Sequence, residues 1–240
     1  MLNKKDFIEI EFTGRVKDGD VFDSNVKEEL QKLHQGHSHE NETKPFVFCL
    51  GEEMFFKGVD EFLIGKEIKE YDIPLPPEKG FGKRDSKLIR MVPIKEFAKS
   101  KLNPIPGSVF NFDGKVAKVL TVSSGRVIVD FNHPLSGKNI EYHIKVLRKV
   151  EDLNEKVKAL NEFFFRAQLK FKLEDNKLIL EVPKGAKQVV EVFKDKYKEI
   201  LDLDLETEEI EEEKVKKEKI EDKDSEKEIV EEKSNLQKIF

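Results

Sequence analysis

The stretch from Pro45 to Gly82, PFVFCLGEEMFFKGVDEFLIGKEIKEYDIPLPPEKGFG, constrains this chain more than any other. It reads as strand, short helix, strand and loop. Phe46, Phe48 and Leu50 alternate with Val47 and Cys49, the two-residue period of a strand. Glu52 and Glu53 suit the first turn of a helix, where free N–H groups favour negative charge. Phe55, Val59, Phe62 and Leu63 follow at helical spacing as one apolar stripe. Lys66 to Leu75 reads as a second strand. It stops at Pro74, Pro76 and Pro77, which donate no ladder hydrogen bonds. The loop ends in Gly80-Phe81-Gly82, an aromatic between two flexible residues. Aromatics at these spacings either fill a core or wall a concave pocket with few polar groups. Spacing alone fits both.

The flanking sequence adds further strands. Ile8, Ile10 and Phe12 alternate with Glu9, Glu11 and Thr13 from Phe7 to Gly14. Lys17-Asp18-Gly19-Asp20 is a turn, and Val21-Phe22-Asp23 starts the return. Asn25 to Lys44 is polar, with a short helix expected over Lys27 to Leu33. Near Arg84 the composition shifts. Val92 to Phe97 is a short apolar element, and Asn103 to Gly107 is a turn-rich linker. Val109 to Phe112, Lys115 to Val122 and Arg126 to Phe131 read as three short strands. Asn139 to Val150 alternates again, with Ile140, Tyr142, Ile144 and Val146 on one face and Glu141, His143 and Lys145 on the other. His143 therefore reads as a surface residue. Asp152 and Glu155 form a variant capping box before a helix to about Arg166. A hairpin around Glu174-Asp175-Asn176 and a helix from Ala186 to Leu201 complete a unit of roughly fifty residues, small enough to benefit from a partner surface. From Asp204 the chain is almost all Glu, Lys and Asp, which predicts a solvated helix or disorder.

Charge decides several exclusions. Charged residues make up 39% of the 240 and hydrophobic residues 38%, with a net charge of −5. No basic block stands out, so a nucleic-acid partner is disfavoured. The Lys and Glu excess resembles the charge networks of thermophile proteins. The single Cys excludes an intramolecular disulfide and fits a reducing cytosol, so a cytoplasmic location is expected. The first residues, MLNKKDFIEIEF, read as neither signal peptide nor anchor, and no run reaches the length of a membrane span.

Motifs for covalent chemistry are absent. No Gly-rich phosphate loop or Gly-x-Ser-x-Gly elbow appears. Cys49 sits mid-strand, which suits a buried inert thiol better than a nucleophile. His34, His37 and His39 share a loop and are candidate metal ligands by residue type, but no carboxylate or Cys beside them forces convergence. No metal and no cofactor is expected. An enzyme built this way would use chemistry that needs little proton transfer.

Four segments in order, IEFTGRVKDGDVFDSN, PFVFCLGEEMFFKGVDEFLIGKE, the Gly-Phe-Gly loop and NIEYHIKVL, resemble the FKBP-type peptidyl-prolyl isomerases. RVIVDFNHPLSGKNIEY resembles the return from the insert of the SlyD-type, long archaeal branch. The implied fold is α+β: an antiparallel sheet wrapped on a short helix (residues 1–86 and 134–151) with an inserted small β-rich domain (87–133). A C-terminal α-β-β-α unit (152–203) and a charged tail, helical or disordered (204–240), follow. A homodimer through the C-terminal unit is a candidate assembly.

The resemblance implies a pocket of Phe12, Phe22, Asp23, Phe46, Phe55, Phe56, Val59, Phe81 and Tyr142. Phe12 and Phe81 stand where many members carry Tyr, Val59 replaces a Trp, and Phe55 and Phe56 are bulkier than the usual aliphatic pair. The implied activity is prolyl cis-trans isomerisation, with Phe46, Phe55, Val59 and Tyr142 gripping the proline and Asp23 as the one acid. The implied partners are unfolded or proline-containing chains, held by the insert. There, Val92, Ile94, Phe97, Phe110 and Phe112 form either a binding groove or the insert's own core. The rival functions are a non-catalytic holdase and, third, a metal carrier. The family's metal carriers use a His-rich tail, which this chain lacks.

Overall fold

The computed structural model describes residues 1–33, 44–112 and 114–210. His34, His37 and His39 lie outside them. The chain forms two units, Met1–Asp152 and a second from Leu153 onward. In chain order the first unit holds β1 (Phe7–Val16), β2 (Val21–Ser24), α1 (Lys27–Leu33), β3 (Phe46–Cys49), α2 (Lys57–Leu63), β4 (Glu70–Leu75), β5 (Ile89–Pro93), α3 (Ile94–Lys99), β6 (Val109–Phe112), β7 (Lys115–Ser123), β8 (Arg126–Asp130) and β9 (Ile140–Val150). The second holds α4 (Leu153–Phe165), β10 (Phe171–Glu174), β11 (Lys177–Pro183), α5 (Lys187–Glu191), α6 (Lys194–Leu201) and β12 (Asp204–Ile210).

β1 is the spine of the first unit. It pairs antiparallel with β2 and β3 on one side and with β9 on the other, and β9 also pairs with β4. The predicted alternation sorts the faces: Ile8, Ile10 and Phe12 are buried with Ile140, Tyr142, Ile144 and Val146. The other face carries polar pairs, including His143 Nδ1 at 2.8 Å from Asp72 Oδ1. α2 buries Val59 and Leu63. Gly58 lets the helix come close, because a Cβ there would lie 2.5 Å from Leu75 Cδ2.

α2 starts later than the acidic pair suggests. Gly51 and Glu53 both take left-handed backbone angles, φ +86° and +54°. Glu52 and Glu53 therefore belong to a turn, and Phe56 is the extended residue that precedes the helix. β4 begins at Glu70 rather than Lys66, after Gly65 with φ +83° ends the helix segment.

The inserted segment is a four-stranded antiparallel sheet, β5-β8-β7-β6, covered on one face by α3. The expected apolar element Val92 to Phe97 splits between the end of β5 and α3. Phe97 is fully buried among Ala117, Val119, Val127 and Val129. Its ring meets Phe110 and Phe112 at 5.8 and 5.4 Å, and Val92 packs on the same cluster. Phe97 thus belongs to the insert's core, with Val92, Phe110 and Phe112 packed on it, and these residues do not form an open groove. Burying one such ring is worth about 2–3 kcal/mol, which a segment this small needs. Ile94 stays exposed.

The second unit corrects the C-terminal expectation. Asp204–Ile210 is a strand, not tail, and pairs parallel with β11 in a β10-β11-β12 sheet. Leu203 and Leu205 are buried, while Glu206 and Glu208 reach Lys177 and Lys172 at 2.7 and 3.1 Å. Alternating carboxylates hide the strand's period from a composition count. The single helix expected over Ala186 to Leu201 is two, α5 and α6. Tyr197 is fully buried and donates to Asn161 Oδ1 at 2.7 Å. Among the described residues no helix is long and apolar enough to cross a membrane.

Candidate active site

The site grows from the register of β1. Gly14 lies opposite Asp23 on β2 and opposite Tyr142 on β9. Two residues after Asp23 lock β2 in place. Asn25 Oδ1 accepts the Phe12 N–H at 2.6 Å, and Asn25 Nδ2 donates to the Ile10 carbonyl at 3.0 Å. The Ser24 hydroxyl donates to the Phe12 carbonyl at 2.9 Å. Phe12 and Asp23 are therefore held by backbone pairing and by the polar pair Ser24-Asn25, while Phe22 falls at the register shift between β1 and β2.

Aromatic rings then close on one point. Tyr142 meets Phe12, Phe22, Phe55 and Phe56 at centroid distances of 5.9, 5.8, 5.1 and 5.3 Å. Phe55 also meets Phe12 at 5.2 Å, Phe46 at 5.7 Å and Phe48 at 5.8 Å. Phe81 completes the wall against Phe22 at 5.6 Å and Phe56 at 5.1 Å. Most of these pairs are tilted or edge-on, the arrangement that ring quadrupoles favour. Six strands and loops supply these rings, as a pocket requires.

The structure brings eight of the nine expected positions into this one cluster, and the ninth, Val59, is buried on α2. Tyr142 and Val59 are both 0% exposed. Tyr142 forms a covered floor, not a gripping surface, because the Phe55 ring packs on it at 5.1 Å. The reachable apolar surface comes from Phe22, Phe46, Phe55, Phe56 and Phe81, which are all half-buried. Bulk at position 55 is the physical reason.

Asp23 is the acid at the rim. Burial by the surrounding protein raises its carboxyl above the usual range, while the Tyr142 hydroxyl and the Ser24 N–H act against that rise. Tyr142 donates to Asp23 Oδ2 across 3.4 Å. Burial first, and then the Asp23 charge, hold the phenol well above its usual value, so it stays protonated and donates. The pair offers a fixed dipole at the edge of an apolar patch.

Three contributors escaped sequence reasoning. Phe48, fully buried, stacks under Phe46 at 5.5 Å. Gly14 leaves the space that Tyr142 and Phe22 occupy: a Cβ there would lie 2.8 Å from Tyr142 Cε1 and Cζ and 3.0 Å from Phe22 Cζ. His133 stacks face to face on Phe81 at 4.5 Å and 6°. The Gly after Thr13 and the His-Pro pair in the return segment are the signals that could have marked the last two. Among the described residues no cluster of His, Cys, Asp or Glu could hold a metal ion.

Comparison with known proteins gives this geometry its context. A family profile described as FKBP-type peptidyl-prolyl cis-trans isomerase matches residues 1–97, and one described as FKBP26, IF domain, matches residues 90–135. The short-type peptidyl-prolyl cis-trans isomerase of Methanocaldococcus jannaschii is 35% identical over 147 residues, covering 61% of this chain and 92% of that protein. The FKBP-type isomerase SlyD of Helicobacter pylori is 27% identical over 144 residues, covering 58% and 70%. The FKBP-type 16 kDa isomerase of Escherichia coli is 30% identical over 125 residues, covering 48% and 83%. With its aromatic cluster, its rim carboxylate and its inserted sheet, the chain belongs to the FKBP-type peptidyl-prolyl cis-trans isomerase family, EC 5.2.1.8.

Proposed function

We propose that the aromatic rim isomerises prolyl bonds of unfolded chains and that the insert holds those chains near it, as a cytoplasmic folding catalyst. The observation that carries this reading is the ring cluster with one acid at its edge. A prolyl bond rotates over about 18–20 kcal/mol because resonance stiffens the amide. No covalent bond has to change, so the site need only favour the twisted amide over the planar one. A twisted amide has lost its charge-separated form and is less polar, which suits a wall of phenyl rings. Asp23, held by Tyr142, faces the carbonyl carbon as a dipole. Each 1.36 kcal/mol of such preference is worth about tenfold in rate. Asp23→Ala is therefore expected to lower kcat/KM on a proline tetrapeptide about tenfold. Full activity in that variant would remove Asp23 from the mechanism.

The insert's share rests on its outer sheet face. Met91, Val109 and Val116 lie on the face away from Phe97 and are 57%, 58% and 56% exposed. Apolar side chains presented this way suit an extended apolar client. A client bound there meets the rim at a raised effective concentration. Replacing all three by Ser is expected to abolish suppression of client aggregation and to leave tetrapeptide turnover unchanged. Undiminished suppression would place client binding elsewhere.

The second reading is a holdase without catalysis, and the observation in its favour is the covered floor beneath Phe55. A protease-free prolyl isomerase assay separates the two. Suppression of aggregation with no acceleration of any prolyl bond would support the holdase.

A further inference from the structure

Two crossings join the insert to the parent sheet, and they are bonded to each other along their length. The Gly137 N–H donates to the Gly82 carbonyl at 2.8 Å, and the Ser136 hydroxyl donates to the Phe81 carbonyl at 3.1 Å. The Asp85 N–H donates to Asn132 Oδ1 at 2.8 Å, and Asn132 Nδ2 returns a bond to the Asp85 carbonyl at 3.0 Å. The Phe131 N–H donates to the Leu88 carbonyl at 3.0 Å. Beneath these, the Arg84 guanidinium pairs with Asp130, which is only 4% exposed. The other Asp130 oxygen accepts from the Asn132 N–H at 2.9 Å and from Asn132 Nδ2 at 2.7 Å. A buried carboxylate with these partners is costly to unpair, so the junction has one arrangement.

The returning crossing delivers His133. Its Nδ1 accepts the Leu135 N–H at 3.2 Å, which sets the ring plane from one side. Its other face contact is the stack on Phe81. Phe81 needs such a support. Its neighbours are Gly80 and Gly82, and Gly82 sits at φ +77°. The backbone here is held by hydrogen bonds, but glycines on both sides offer no side chains to pack on the ring, so its direction comes from contacts with more distant side chains. Phe22 and Phe56 hold one side, and His133 holds the outer one.

We propose that His133 is a positioning residue of the isomerase site: it holds Phe81 in the rim, and the Arg84–Asp130–Asn132–Asp85 clamp fixes His133, tying the insert's placement to the shape of the pocket. The inference rests on the aromatic rim being the prolyl site. It makes the junction part of the catalytic geometry and not a passive linker, because the same residues that seat the insert seat a wall ring.

The test uses the full chain with His133→Ala, His133→Phe and Asn132→Ala. Each is measured by tetrapeptide kinetics, by thermal unfolding and by NMR of the selectively labelled Phe81 ring. His133→Ala is expected to lower kcat/KM about three- to tenfold, mostly through KM, and to move the Phe81 ring signals as the stack is lost. His133→Phe keeps a flat ring on Phe81 and is expected to return kcat/KM to within about twofold. Asn132→Ala frees His133 from the clamp and is expected to shift the same Phe81 signals. Unmoved Phe81 signals in His133→Ala, or no rescue by His133→Phe, would overturn the proposal. If His133→Ala does not fold, the other two variants decide it. If the wild-type chain turns over no prolyl bond, the reading of the rim fails while the Phe81 signals still score the support by His133.

Discussion

Gly14→Ala is expected to cost the chain both stability and turnover. The reason is space, not backbone freedom. A Cβ at this position would sit 2.8 Å from two Tyr142 ring atoms and 3.0 Å from Phe22 Cζ. Real side chains do not tolerate such distances, so a ring must move. Tyr142 is fully buried and is braced by Phe12, Phe55 and Phe56. It can yield only by tilting away from Asp23 or by driving β1 and β9 apart where they pair through Gly14 and Tyr142. Overpacking of this kind costs about 1–3 kcal/mol. In a unit of this size that lowers Tm by roughly 2–4 °C per kcal/mol. The effect on activity is larger, because the displaced groups are the floor and one wall of the site. Turnover of a proline tetrapeptide is expected to fall at least tenfold, by the rate arithmetic that a misplacement of about 1.4 kcal/mol implies. Thermal unfolding beside the peptide assay checks both effects. Wild-type values in both would mean that the Tyr142 ring has room to rotate, and the rim would no longer depend on a fixed floor.

The parent sheet was legible because its strands alternate cleanly and its breaks are Gly and Pro. Residues Phe7 to Val16 and Ile140 to Val150 show this, as does the short helix Lys27–Leu33. Local patterns failed where backbone conformation or pairing overrides them. Glu52 and Glu53 look like helix-starting acids, yet left-handed angles at Gly51 and Glu53 make a turn. Asp204–Ile210 looks like tail because charge dominates its composition, yet pairing with β11 buries Leu205. The identities of the site residues came from resemblance alone, since spacing fitted core and pocket equally. Their roles came only from the fold. That Phe55 covers Tyr142, that Gly14 is a steric gap and that His133 meets Phe81 are facts about distant residues. No local period encodes them.

Asp60 gives the site a pH signature whose sign runs opposite to that of most carboxylates. It lies on α2, only 3% exposed. One oxygen accepts the Glu53 N–H at 3.1 Å, and among the described residues Oδ1 has no partner at full hydrogen-bond geometry. Burial is the main cause; the Glu53 and Gly51 N–H groups act against it and the nearby Glu53 and Glu52 charges add to it, and the carboxyl is pushed up to about 6. In the unfolded chain it titrates near 3.9. Between roughly pH 4 and pH 6 the folded chain therefore binds a proton that the unfolded chain has released. The contribution to stability is complete below pH 4 and is lost as the pH rises through 6. The loss amounts to about 2–3 kcal/mol. Asp60→Asn keeps the shape and an acceptor for Glu53 but never ionises. Its stability relative to wild type is expected to rise by about 2–3 kcal/mol between pH 4 and pH 7.5, read from urea unfolding at several pH values. Parallel curves across that range would show that water reaches the carboxyl. The wild-type residue has a compensating use. An ionised Asp60 is the stronger acceptor for Glu53, and it braces the turn that leads into Phe55 and Phe56. The stabilised variant is therefore expected to turn over peptide more slowly at pH 7.5, and to match wild type near pH 5, where both carry a neutral group.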